Sequence, residues 1–151
     1  MNNIIMLSDR PDMIPQAAEW FHSKWGVAAE DYADSMRMSL DMVSSVPMWY
    51  IMLDGGNIIA GLGVIENDFH RRPDLAPNIC AVYVDEAYRG RGLMRALLKR
   101  AVRDLARHGR KYTYLITDHV GLYEKCGWDF YGMVEENNGR ATRMYYIKTE
   151  E

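Results

Sequence analysis

Residues 80–94 read Cys80-Ala81-Val82-Tyr83-Val84-Asp85-Glu86-Ala87-Tyr88-Arg89-Gly90-Arg91-Gly92-Leu93-Met94, and the order of residue types in this stretch decides the fold. An apolar, β-branched run gives way to a glycine-containing turn, which opens directly into an amphipathic helical pattern. At a helix start several N–H groups lack intrahelical acceptors and carry the positive end of the helix dipole. Glycines let that backbone curl around an anion with no Cβ in the way. A phosphate is the natural occupant. Arg89 and Arg91 add charge at the rim, and Arg95 and Lys99 continue it at i+4 spacing. The P-loop pattern and the dinucleotide pattern G-x-G-x-x-G are both absent.

Working outward, residues 91–107 form the clearest predicted helix, with Met94, Leu97, Leu98, Ala101 and Leu105 as its apolar stripe and Gly109 as its stop. Upstream, Asp54-Gly55-Gly56-Asn57 is a hairpin signal between predicted strands at 48–53 and 58–65. Gly61 and Gly63 inside the second of these point to close backbone approach. Residues 67–78 are polar, contain Pro73 and Pro77, and read as a loop before a strand at 79–84. Nearer the start, Ile4 to Leu7 reads as a strand. A helix capped by Ser8 or Asp9 then places Ile14, Ala17, Ala18, Phe21 and Trp25 on one face and stops at Gly26. A second helix is predicted from Glu30 to Val43. Downstream, Tyr112 to Thr117 reads as a strand, Asp118 as the cap of a short helix through Lys125, and 128–134 and 142–148 as two last strands. One α/β domain follows.

Composition narrows the function. The chain has 151 residues, 48% hydrophobic and 26% charged, as in a globular protein with one core. No apolar run approaches the ~20 residues of a membrane span, and the first residues carry no visible secretion signal. Two cysteines, Cys80 and Cys126, make no disulfide framework, so a reduced, cytoplasmic protein is the expectation. Residues 89–111 hold nine of the 18 Lys and Arg and one acid, Asp104, at net +8; the remainder of a chain at −3 therefore carries −11. That asymmetry suits a local anionic ligand better than nucleic acid. His70 with Glu66 and Asp68 has no firm ligand spacing, so no metal is expected.

The residues 89–94, Arg-Gly-Arg-Gly-Leu-Met, resemble the [QR]-x-x-G-x-[GA] signature of the GCN5-related N-acetyltransferases (GNAT), with Met94 where that pattern has a small residue. The preceding helix-helix-hairpin-strand order is similar too, so the likeness covers nearly all of residues 1–151, read as a single N-acetyltransferase domain. It implies a mixed central sheet of about six to seven strands flanked by helices, with the fourth and fifth strands splayed apart. Acetyl-CoA would be the acyl donor. Its pantetheine arm would lie against Val82 and Val84, near a bulge at Val84, and its diphosphate on Arg89, Gly90, Arg91, Gly92, Leu93 and Met94.

Leu122-Tyr123-Glu124-Lys125-Cys126-Gly127-Trp128 resembles the family's later L-Y-E-x-x-G-F motif. The resemblance makes Tyr123 the acid that protonates the departing thiolate, chemistry a phenol can do. An amine acceptor must also be neutral to attack, which asks for a base. Glu66, Asp68, His70 and Asp74 lie in or beside the loop before the fourth strand, and Glu66, ending a strand, is the first choice. The expected reaction is acetyl transfer to a primary amine of a small molecule or protein, with no nucleic-acid or membrane partner. The family's frequent dimers leave a homodimer open. The alternative is a non-catalytic acyl-CoA sensor of the same fold.

Overall fold

The hairpin turn at Asp54–Asn57 forms as its glycines dictate, with Gly55 at φ +63°. The computed structural model describes residues 3–41 and 44–150. Its elements are β1 (Ile4–Met6), α1 (Ile14–Trp25), α2 (Ala29–Met38), β2 (Met48–Asp54), β3 (Asn57–Ile65), β4 (Asn78–Val84), α3 (Leu93–Arg107), β5 (Tyr112–Thr117), β6 (Asp129–Glu135) and β7 (Ala141–Lys148). The expected mixed α/β class is thus present, with seven strands among the described residues. No helix among them is long and apolar enough to cross a membrane.

The chain divides into two compact units, Met1–Val64 with Ala81–Leu98, and Ile65–Cys80 with Lys99–Glu151. In the first, strand order is β1-β2-β3-β4, and β2 pairs antiparallel with both β1 (Ile5↔Ile51) and β3 (Tyr50↔Leu62). Phe21 of α1 and Tyr32 of α2 meet Trp49 of β2 at ring separations of 5.1 and 5.6 Å, and Trp49 Nε1 donates to Ser35 Oγ at 2.9 Å. Burying each such ring contributes roughly 1.5–3 kcal/mol. The glycines of β3 make room for this packing. A Cβ on Gly61 would lie 2.7 Å from the Tyr50 carbonyl oxygen and 2.8 Å from Phe21 Cζ, and one on Gly63 2.5 Å from the Trp49 ring.

In the second unit the order is β4-β5-β7-β6. The start of β4 runs parallel to β5 at Asn78↔Tyr114, after which β4 carries residues 81–84 into the first unit. Strand β7 pairs antiparallel with β5 (Tyr114↔Tyr146) and with β6 (Val134↔Thr142). Leu75, Val134 and Met144 form a buried cluster with Tyr114 and Ile116 packed on it.

Three boundaries differ from the sequence reading, each for a local reason. Helix α1 starts at Ile14, not after a Ser8 or Asp9 cap: two 3₁₀ turns, Leu7–Asp9 and Pro11–Met13, precede it. Pro11 and Pro15 each open a turn, where a missing N–H costs nothing. Helix α2 ends at Met38, where the Ser39 hydroxyl turns back to the Met36 carbonyl. Val43, placed on that helix by the sequence, lies outside the described residues. The helix expected from Asp118 shrinks to a 3₁₀ turn, Glu124–Cys126. The Asp118 carboxylate is taken instead by Arg140 at 2.7 Å, so it caps nothing.

Candidate active site

The glycine turn lies wholly in the first unit. The Asp85 N–H bonds the Ile59 carbonyl at 2.8 Å, holding the end of β4 to β3, and Tyr88 N–H closes a 3₁₀ turn onto Asp85 at 2.9 Å. The Tyr88 hydroxyl donates to Asp54 Oδ2, fixing the turn from its outer side. Gly90 and Gly92 follow, at φ +79° and +77°, in open space where no atom lies within 4 Å of a would-be Cβ. Both conformations favour glycine, so the turn is set by backbone need.

Helix α3 then begins. The Ala96 N–H bonds the Gly92 carbonyl at 3.0 Å, which makes Gly92 the cap residue and leaves the Leu93 and Met94 N–H groups ahead of the ladder. An exposed, Cβ-free turn running into orphan N–H groups at the positive end of a 15-residue helix is a surface that fits a diphosphate. Met94 sits inside the helix, past the turn. The two positions that require glycine are 90 and 92, so the signature laid from Ala87 has both its small residues in place and lacks only its first polar one.

Two arginines expected at the rim do more than add charge. Arg89 Nε donates to the Val84 carbonyl at 2.9 Å and its guanidinium lies 5.3 Å from the Tyr83 ring centre. Arg91 stacks 5.1 Å from the Tyr88 ring. Arg89, Val84 and the glycine turn are therefore joined. Strand β4 carries an irregularity at Ala81, which has φ +54°, an unusual conformation for a residue with a Cβ. Val82 and Val84 beyond it are partly buried. No sequence pattern marks alanine for that conformation, so the position was not legible.

A neighbouring group went unnoticed in the sequence. Lys24 of α1 pairs with Asp85 at 3.0 Å while its ammonium lies 5.1 Å from Tyr83 and 5.5 Å from Trp20. Lys24 lies one helical turn after Trp20 and next to Trp25, and only the fold brings Asp85 to it.

Tyr123 and the 66–74 carboxylates belong to the second unit. Tyr123 precedes the 3₁₀ turn and is 6% exposed, with Trp128 and Tyr145 rings 6.4 and 6.1 Å away. Its hydroxyl makes no side-chain hydrogen bond among the described residues. Burial, with a smaller push from Cys126, raises it to about 12, so it stays protonated at neutral pH. Gly127, at φ +89°, turns the chain after it.

Glu66 is exposed and ion-paired with Arg110, and its carbonyl accepts from Asn78 Nδ2 at 2.7 Å. His70 is buried with both ring nitrogens engaged: Nε2 meets Asn78 Oδ1 at 2.9 Å, and Nδ1 accepts the Arg72 N–H at 3.2 Å. That pairing makes it the Nε2–H tautomer. Asp74 is held by Arg72 through two bonds of 3.0 and 2.8 Å, which lower its carboxyl. Asp68 is partly buried, and burial plus the nearby Glu136 carboxylate raise it to about 6. Among the described residues no three metal-ligating side chains gather.

Residues 14–128 match the model of the acetyltransferase (GNAT) family. The chain belongs to that family. As a GNAT enzyme it is an acetyltransferase that uses acetyl-CoA as acyl donor. No curated protein matches the chain. Solved structures do. The yncA structure from Salmonella typhimurium, which holds acetyl-CoA, has a TM-score of 0.73 at 14% identity, over 100% of this chain and 95% of that one. Aminoglycoside 6′-acetyltransferase type Ii has a TM-score of 0.69 at 18% identity, over 99% and 98%. The spermidine N-acetyltransferase SpeG of Vibrio cholerae has 0.67 at 14%, over 97% and 93%. At such identities the likeness is one of fold.

Proposed function

We propose that residues 1–151 act as one N-acetyltransferase domain that moves the acetyl group of acetyl-CoA directly to a primary amine of a small molecule or protein. The donor's diphosphate sits on Arg89, Gly90, Arg91, Gly92, Leu93 and Met94, and its arm lies along the backbone of Val82 and Val84. Tyr123 hands a proton to the leaving thiolate. A carboxylate of the 66–74 segment, with Glu66, the residue just past the end of β3, as the first candidate, removes the amine's proton.

The observation that carries this reading is the pair of left-handed glycines, 90 and 92, opening onto the first N–H groups of α3. Direct transfer asks for no covalent enzyme intermediate, and Cys80, a buried thiol, is not needed as a nucleophile. An amine acceptor is supported by the acidic balance outside residues 89–111 and by the acceptors named for two fold neighbours, an aminoglycoside and spermidine. The test is an amine panel of polyamines, aminoglycosides and lysine-bearing peptides, followed by release of free thiol from acetyl-CoA. At least one amine should give saturable release. A panel with none, from protein that binds coenzyme A in calorimetry, would remove the amine-transfer reading.

A further inference from the structure

Asp85 is the residue at which β4 gives way to the glycine turn, and three partners hold it. Its N–H bonds the Ile59 carbonyl at 2.8 Å, its carbonyl accepts the Tyr88 N–H at 2.9 Å, and its carboxylate meets the Lys24 ammonium at 3.0 Å. The first two are backbone bonds that need no particular side chain. The third needs this carboxylate and this lysine, 61 residues apart in the chain. Asp85 Oδ1, the oxygen that faces Lys24, is buried and has no hydrogen-bond donor in bonding geometry among the described residues. Lys24 is therefore its counter-charge, and without it a buried carboxylate oxygen has to move toward water.

Lys24 is itself well fixed. Its ammonium lies 5.1 Å from the Tyr83 ring centre and 5.5 Å from that of Trp20, so two aromatic rings confine it beside the carboxylate. The end of α1 gives it a firm base. Gly26 closes the helix at φ +74°, its N–H bonds the His22 carbonyl at 2.9 Å, and His22 Nδ1 donates to the Val27 carbonyl at 2.8 Å. A lysine in this last turn also meets the negative end of the helix dipole. Helix α1, the end of β4 and the glycine turn all belong to the first compact unit.

We infer that Lys24 is a positioning residue for the acyl donor: through Asp85 it holds the glycine turn in the shape that receives the diphosphate. The inference rests on the proposed seat of the diphosphate at residues 89–94. The path from Lys24 to that seat is short. Asp85 anchors the 3₁₀ turn through Tyr88, and Arg89, the next residue, reaches back to the Val84 carbonyl at 2.9 Å. The Arg89 guanidinium lies 5.3 Å from the centre of the Tyr83 ring that Lys24 also approaches. Lys24 acts here on the free protein, by keeping the turn formed before the donor arrives. A turn formed for a smaller fraction of the time weakens donor binding by that fraction and leaves the chemical step unchanged.

The experiment is coenzyme A calorimetry on wild type, Lys24→Met, Lys24→Arg, Asp85→Asn and the Lys24→Met/Asp85→Asn double variant, beside amide hydrogen exchange of the unliganded proteins. Methionine keeps an apolar stem against Trp20 and Tyr83 and removes only the charge; Lys24→Met should raise Kd by about 10-fold. Asp85→Asn, nearly the same size, puts the question from the turn's side, and it decides alone should Lys24→Met not fold. It should raise Kd by a similar factor, and the double variant by no more than the larger single effect, because both substitutions break one link. Lys24→Arg should restore most of the affinity. Amides of residues 86–94 should exchange faster in both single variants while those of β2 keep their wild-type protection, which a general loss of stability would not allow. A wild-type Kd in Asp85→Asn, effects that multiply in the double variant, or weaker binding with unchanged exchange at 86–94 would each overturn the positioning role. Gly92→Ala is the separate control: if it binds coenzyme A as wild type does, the diphosphate seat itself is wrong, whatever Lys24 does.

Discussion

Arg89 Nε donates to the Val84 carbonyl at 2.9 Å, so the glycine turn and the last residue of β4 move as one piece. The guanidinium also lies over Tyr83, which makes Arg89 a planar clamp as well as a charge. Lysine keeps the charge but has neither the Nε donor nor the plane.

Arg89→Lys should therefore weaken coenzyme A binding while leaving the fold intact. One hydrogen bond and one cation–ring contact together are worth about 1–2 kcal/mol, or about a 5- to 30-fold higher Kd. Calorimetry reads it directly. An unchanged Kd would show that the residue acts through charge alone.

Alanine at the glycines separates turn from core. Gly92→Ala meets no atom within 4 Å, so its cost is the left-handed backbone, about 1–2 kcal/mol, with a parallel loss of coenzyme A affinity. Gly61→Ala puts a Cβ 2.7 Å from the Tyr50 carbonyl, where backbone on the paired strand must shift; roughly 1–3 kcal/mol or more of stability should go, with cofactor affinity held in whatever remains folded. Thermal melts and calorimetry on both variants check the contrast. Tight binding by Gly92→Ala would take the turn out of the site.

These positions also show what the sequence could and could not disclose. Glycines 90 and 92 were readable because a helix-opening turn that receives an anion needs residues free of Cβ, and the β5 span of 112–117 was readable because its β-branched and aromatic run has clear turns on both sides. Gly61 signalled close approach without naming Phe21 as the visitor. Ala81, at φ +54°, was invisible, since alanine carries no signal for that conformation. The fate of the 66–74 acids was equally hidden. Whether Glu66 finds Arg110, 44 residues away, depends on the fold, and sequence position alone made it the first candidate base.

Tyr123→Phe removes a hydroxyl that makes no side-chain hydrogen bond among the described residues, so the melting temperature should hardly move. Turnover should fall by about 100-fold or more if the phenol protonates the thiolate. Because burial keeps the group protonated to about 12, the wild-type rate should show no fall from Tyr123 ionisation through pH 9. Free-thiol release at saturating amine from pH 6 to 9 measures both. Equal kcat in the two proteins would leave Tyr123 as a packing residue against Trp128 and Tyr145.

Asp68 should cost the fold stability at neutral pH. Its folded value, about 6, lies above the ordinary carboxyl value of 3.8, so folding favours the protonated form. At about pH 3, well below 3.8, both states are protonated and no penalty exists. As pH rises through about 6 the native state must ionise a partly buried carboxylate, and relative stability is lost. A shift of about two units corresponds to at most roughly 3 kcal/mol. Asp68→Asn should accordingly melt with wild type at pH 3 and several degrees higher at pH 7.5. Melts that stay superimposed at both pH values would mean that solvent reaches the carboxylate freely, and a freely solvated Asp68 would have no reason to hold its proton near neutrality.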